Sequence, residues 1–115
     1  MEIPIKGNSM EPILKEGDLV VVKPSKLYFF GDLVLFFDHY GKILCHRLLG
    51  ISVKEGKFLF HFKGDASPKK DSPILKSKII GKIVEIKRNG SVIKVKRIKN
   101  LYYWIRNYCQ WIRQK

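Results

Sequence analysis

The side chains best suited to nucleophilic attack and proton transfer near neutral pH are few in this chain of 115 residues: its serines, three histidines and two cysteines. Ser9 stands out. It lies in Gly7-Asn8-Ser9-Met10-Glu11-Pro12, just before Pro12 and the apolar pair Ile13-Leu14, at the expected start of a short helical turn. A serine there can cap the turn, a contribution of about 1 kcal/mol. The same place suits a nucleophile, because backbone N–H groups at a helix start point toward developing negative charge. A base must then remove the hydroxyl proton, and a neutral imidazole titrating near ~6.5 can do so at physiological pH. His39 sits in a turn, Asp38-His39-Tyr40-Gly41, and His61 in the apolar stretch Phe58 to Phe62. His46 sits in Cys45-His46-Arg47, between Ile43-Leu44 and Leu48-Leu49. Each of the three also suits a purely structural role. Neighbours on a strand face opposite sides, so Cys45 and His46 do not form a Cys-His dyad.

These residues need a scaffold, and the middle of the chain reads as β-structure. Short runs rich in Val, Ile, Leu and Phe predict strands at Asp18–Lys23, Leu33–Asp38, Ile43–Val53, Phe58–Lys63, Ile79–Lys87 and Ser91–Arg97. Glu55-Gly56 and Asn89-Gly90 fall between apolar runs where tight hairpins need positive φ. Gly-Asp-Leu-Val occurs at Gly17 to Val20 and again at Gly31 to Val34, two similar turns into strands rather than a repeat architecture. Gly64 to Lys78, with Pro68, Pro73 and four lysines, reads as a surface loop. The expected fold is mainly β, a small curled antiparallel sheet or partly open barrel, in one domain over 1–99.

Residues 100–115 change period. Leu101, Trp104, Ile105, Tyr108, Trp111 and Ile112 form an apolar helical stripe, with Arg106, Asn107, Gln110, Arg113 and Gln114 expected on the other side. This C-terminal amphipathic helix can pack on the sheet or on a second copy, or lie in a membrane interface. Apolar residues make up 45% and charged residues 29%, so disorder and coiled-coil architectures are excluded. A net charge of +13 calls for anionic surroundings. Two cysteines make no disulfide framework and the histidines show no metal-ligand spacing, so no metal or cofactor is expected and a reducing compartment fits best. No secretory signal opens the chain and no apolar run is long enough to span a bilayer, which points to the cytoplasm, with or without peripheral membrane attachment.

Five segments in order resemble the conserved boxes of the type I signal peptidase family and the related self-cleaving repressors: Gly7-Asn8-Ser9-Met10-Glu11-Pro12, Glu16-Gly17-Asp18-Leu19-Val20, Gly31-Asp32-Leu33-Val34-Leu35-Phe36, His46-Arg47-Leu48-Leu49-Gly50 and Lys63-Gly64-Asp65. His46-Arg47 is similar to the archaeal and endoplasmic-reticulum branch, whose base is histidine rather than lysine. That branch carries two aspartates six positions apart, as Asp65 and Asp71 are. The resemblance is to a form lacking the membrane helix that usually precedes the nucleophile. It implies the signal-peptidase core fold and a serine endopeptidase with Ser9 as nucleophile, His46 as general base and Asp71 orienting the imidazole. Asp65 would brace the loop or assist by charge.

The resemblance also implies an extended leader-type peptide or protein substrate, cut next to small residues. Such a peptide would add as a strand, its side chains entering pockets for which Pro4, Ile5, Met10, Leu35 and Leu44 are the candidates. Two other classes compete. A small basic β-barrel binding nucleic acid would explain the charge and Lys94, Lys96, Arg97 and Lys99, but not five ordered boxes, so nucleic acid is disfavoured as a partner. A catalytically inactive relative serving as an interaction module would keep the boxes without the chemistry.

Overall fold

The structure is a computed structural model that describes residues 1–113. Its strands are β1 (Glu2–Pro4), β2 (Leu19–Lys23), β3 (Leu33–Phe37), β4 (Ile43–Lys54), β5 (Lys57–Lys63), β6 (Ile74–Leu75), β7 (Ile79–Arg88) and β8 (Ser91–Lys94), followed by helix α1 (Arg97–Arg113). They form one antiparallel sheet in the order β1-β2-β7-β3-β4-β5-β6, with β8 pairing the far half of β7. The sheet is not closed, in keeping with the curled antiparallel sheet or partly open barrel expected from sequence.

The uninterrupted apolar run of β3 marks a strand buried on both faces. Leu33 and Leu35 enter one core with Met10, Leu14, Val20, Val22, Ile83 and Ile86. Val34 and Phe36 enter the other, with Leu48, Phe60, Phe62 and Ile74. Phe36 stacks on Phe62 at 4.2 Å; truncating such a buried ring to alanine costs about 3–5 kcal/mol. Bulges at Val21/Val22, Leu35/Phe36 and Leu48/Gly50 curl the sheet around these cores.

The two Gly-Asp-Leu-Val copies do the same work. Asp18 and Asp32 each accept the backbone N–H of the residue three positions earlier, at 2.9 and 2.8 Å, and close the turn before β2 and β3. Asp18 also pairs with Arg88 at 2.6 Å, which holds its carboxyl below the usual aspartate range. Both expected hairpins have positive φ at the two turn residues, Glu55-Gly56 and Asn89-Gly90.

The structure corrects several expectations. The short helical turn expected after Ser9 is present as one i→i−4 bond, from the N–H of Leu14 to the carbonyl of Met10, and the differences lie elsewhere. The loop 64–78 contains β6 and a 3-10 turn at Lys76–Lys78. Strand β8 stops at Lys94 and α1 begins at Arg97, three residues before the expected start. Gln114 and Lys115, assigned to the helix from sequence, lie outside the described residues.

The orientation of α1 is the main correction. Asn107, expected on the wet side, is fully buried, and Asn100 is buried as well. Trp104 Nε1 donates to the carbonyl of Leu49 at 2.7 Å, the residue passed over at the β4 bulge. Leu101, Ile105, Tyr108 and Ile112 face outward. Gly31, at φ +96, is where the helix comes closest, since a Cβ there would lie 2.5 Å from the Asn100 carbonyl oxygen.

Candidate active site

The turn after β1, the start of β4 and the loop between β5 and β6 converge on one point. Ser9 comes from the first, His46 from the second and Asp71 from the third. Ser9 Oγ lies 3.0 Å from His46 Nε2, and His46 Nδ1 lies 2.5 Å from Asp71 Oδ2. A carboxylate only accepts, so the Nδ1 proton points to Asp71 and the lone pair of Nε2 faces the serine hydroxyl. The imidazole is buried, edge-on to Phe36 at 6.1 Å, while Ser9 and Asp71 are half-buried. This arrangement can pass a proton from a hydroxyl to an imidazole and hold the resulting imidazolium.

Asp65 is not part of that line. Its carboxylate takes a two-pronged bond from Arg47, both at 2.8 Å, and a third from Asn107 Nδ2 at 2.6 Å. Arg47 and His46 are neighbours on β4 and so face opposite sides, one toward the frame and one toward Ser9. The remaining guanidinium bonds go to the carbonyl of Gly31 and to Asn100 Oδ1, and Tyr103 lies over the group at 5.0 Å. This buried pair is fully hydrogen-bonded, the condition under which burial of charge is tolerated. The same loop holds the serine: the N–H of Ala66 donates to the Ser9 carbonyl at 2.8 Å. A Cβ on Gly64 would lie 2.7 Å from that carbonyl oxygen, so only glycine lets the loop approach so closely.

Lys63 is the residue that sequence reasoning passed over. Fully buried, it donates to the carbonyl of Gly64 at 3.1 Å and to Asn107 Oδ1 at 2.7 Å, and burial pushes its amine below the usual lysine range. A desolvated lysine is a good general base, but this one serves the frame, and no bond joins it to Ser9 among the described residues. Lys63 stands in the quoted Lys63-Gly64-Asp65 box, so its place in the sequence was visible; its burial was not.

A cleft of about 380 Å³ opens onto Ser9 and His46. Pro4, Ile5, Met10, Leu35 and Leu44 all line it, and Cys45 does so as well. Burial pushes the Cys45 thiol up to about 12, so it stays protonated and does not compete as a nucleophile. Two stretches of backbone at the cleft each have one edge with no strand partner among the described residues. β1 is the end strand of the sheet, and Ile43–His46 of β4 pair with β3 while β5 pairing begins only at Arg47.

The other two histidines lie elsewhere. His39 Nε2 donates to the Pro73 carbonyl at 3.1 Å. His61 Nε2 lies 2.7 Å from Ser52 Oγ, and its Nδ1 is 3.0 Å from Lys70 Nζ. No group of metal-ligating residues occurs among the described residues, and none of their helices is long and apolar enough to cross a membrane.

The protein-family model described as Peptidase S24-like matches residues 3–84, which include Ser9, His46, Asp65 and Asp71. No curated protein and no solved structure matches the chain significantly.

Proposed function

The chain belongs to the Peptidase S24-like family, which implies a serine-type peptidase acting on a protein substrate, and from that premise we propose that it is an endopeptidase whose nucleophile is Ser9 and whose general base is His46. The observation that carries this reading is the unbroken line from Ser9 Oγ through both ring nitrogens of His46 to Asp71. It favours the histidine-base form of the family's chemistry over a lysine-base form.

In the first half of the reaction Ser9 Oγ bonds to the scissile carbonyl carbon as its proton moves to His46 Nε2. Asp71 keeps the Nδ1–H in place and stabilises the imidazolium. The N–H of Ser9, which donates to no protein group among the described residues, is the first donor for the oxyanion. Collapse breaks the C–N bond and His46 returns its proton to the leaving amine. Water, deprotonated by the same imidazole, then releases the acyl group.

Asp65 acts here as a positioning residue, through Arg47 and the loop that holds Ser9. The substrate enters as an extended strand between the unpaired edges of β1 and Ile43–His46, with alternate side chains directed toward Ile5, Met10, Leu35 and Leu44. A leader-type peptide with small residues at the cleavage point is the substrate this reading names.

Labelling with a small serine-reactive phosphonylating probe, followed by intact mass, tests the proposal. One adduct on Ser9, lost in Ser9→Ala and in His46→Ala, is the expected result. Folded protein that takes up no probe of any size across roughly pH 6 to 9 would instead indicate an inactive relative.

A further inference from the structure

Helix α1 docks on the sheet by its less apolar side. Asn100, Trp104 and Asn107 make the bonds to Arg47, Leu49, Lys63 and Asp65, so the core consumes little of the helix's aliphatic surface. The remainder is exposed. Ile98, Leu101, Tyr102, Ile105, Tyr108 and Ile112 recur at helical spacing along the outer side, with Ile98 76% and Ile105 51% exposed. Arg97, Lys99, Arg106 and Arg113 flank the stripe, and α1 contains no acidic residue.

An exposed apolar stripe flanked by cations, on a helix without an acid, has few complementary surfaces. Self-association through it would bring the cationic edges of two copies together without an acid on either helix to offset them. Nucleic acid would satisfy the cations and leave the aliphatic residues in water. A bilayer containing anionic lipid satisfies both, with isoleucine and leucine at the acyl boundary, tyrosines at the headgroup level and arginines on the phosphates. We infer that the outer side of α1 lies on an anionic membrane surface and holds the domain there as a peripheral protein. The helix lies in the interface rather than crossing it, since it is too short and too charged to span.

The test uses the full chain in flotation with vesicles of phosphatidylcholine alone and of phosphatidylcholine mixed equally with phosphatidylglycerol. Wild type is expected to float with the mixed vesicles, at least about tenfold more strongly than with phosphatidylcholine, and less so as salt rises. Leu101→Glu/Ile105→Glu should abolish flotation while leaving the circular dichroism spectrum and the uptake of the serine probe unchanged. Arg106→Gln/Arg113→Gln should weaken flotation and flatten its salt dependence. The inference is overturned if wild type does not float, or if Leu101→Glu/Ile105→Glu floats as well as wild type, which would assign binding to the general basic surface. It is also overturned if wild type is a dimer that the double glutamate variant makes monomeric with no gain or loss at vesicles.

Discussion

Two serine–histidine pairs sit on this sheet, and they differ in the sign of the charge behind the ring. At Ser9–His46 the third group is the carboxylate of Asp71; at Ser52–His61 it is the amine of Lys70, the preceding residue. The serine–histidine distances, 3.0 and 2.7 Å, do not separate them. The acid fixes the proton on Nδ1 of His46 and leaves Nε2 free to accept. The protonated amine donates to Nδ1 of His61, so the ring proton sits on Nε2 and is donated to Ser52 Oγ. Ser52 therefore faces a donor where Ser9 faces a base. Burial, and then the Lys70 charge, also push the pKa of His61 down. A short serine–histidine contact is not a nucleophile until the far nitrogen has an acceptor.

The largest test of that contrast exchanges the serines. Ser9→Ala should reduce probe labelling on the order of 10⁶-fold, to the background rate, whereas Ser52→Ala should change it by less than about twofold. Next come the third groups. Asp71→Asn should lower the Ser9 labelling rate on the order of 10⁴-fold by allowing the wrong tautomer, while Lys70→Met leaves that rate within about threefold. Equal losses in the two variants would dissolve the distinction between the pairs.

Smaller effects concern the frame behind the first pair. Asn107→Ala leaves Lys63 and the Asp65 carboxylate each one partner short, on the order of 1–3 kcal/mol. A calorimetric scan should show a lower Tm, with Ser9 labelling retained by the folded fraction. An unchanged Tm would mean that α1 does not support the site. The smallest effect is the titration of His61. Its folded pKa lies below the 6.5 of an ordinary histidine, so the folded state binds fewer protons and stability is lost as pH falls below 6.5. Histidine NMR should show His61 moving only part of the way back toward 6.5 in Lys70→Met, because burial is the larger cause.

Much of the fold was legible because its signals are local. Short apolar runs rich in Val, Ile, Leu and Phe marked six of the eight strands, and Asn89-Gly90 and Glu55-Gly56 marked their hairpins. β1 and β6, of three and two residues, carry too little pattern to be recognised alone and exist through pairing with β2 and β5. Within the site, the offsets of Ser9, His46, Asp65 and Asp71 were visible on the chain. The division of labour between the two aspartates came only as an implication of the family resemblance and not from the offsets, since it depends on which side of β4 each reaches: Asp71 meets His46, and Asp65 meets Arg47.

The tail drew the same line from the other direction. Its periodicity established a helix and an apolar stripe, and could not say which side would be buried, because Asn100 and Asn107 become interior residues only where Arg47, Lys63 and Asp65 wait for them. By itself the chain's pattern of residue types determined its strands, its turns, its helix and the order of the residues able to do chemistry. Tertiary structure alone decided which histidine has an acceptor behind it and which helix side stays exposed. Backbone preference and amphipathic period act over a few residues, whereas the hydrogen-bond partners and burial that shape the site and dock the helix are set by groups 18 to 55 positions apart that only the folded sheet brings together.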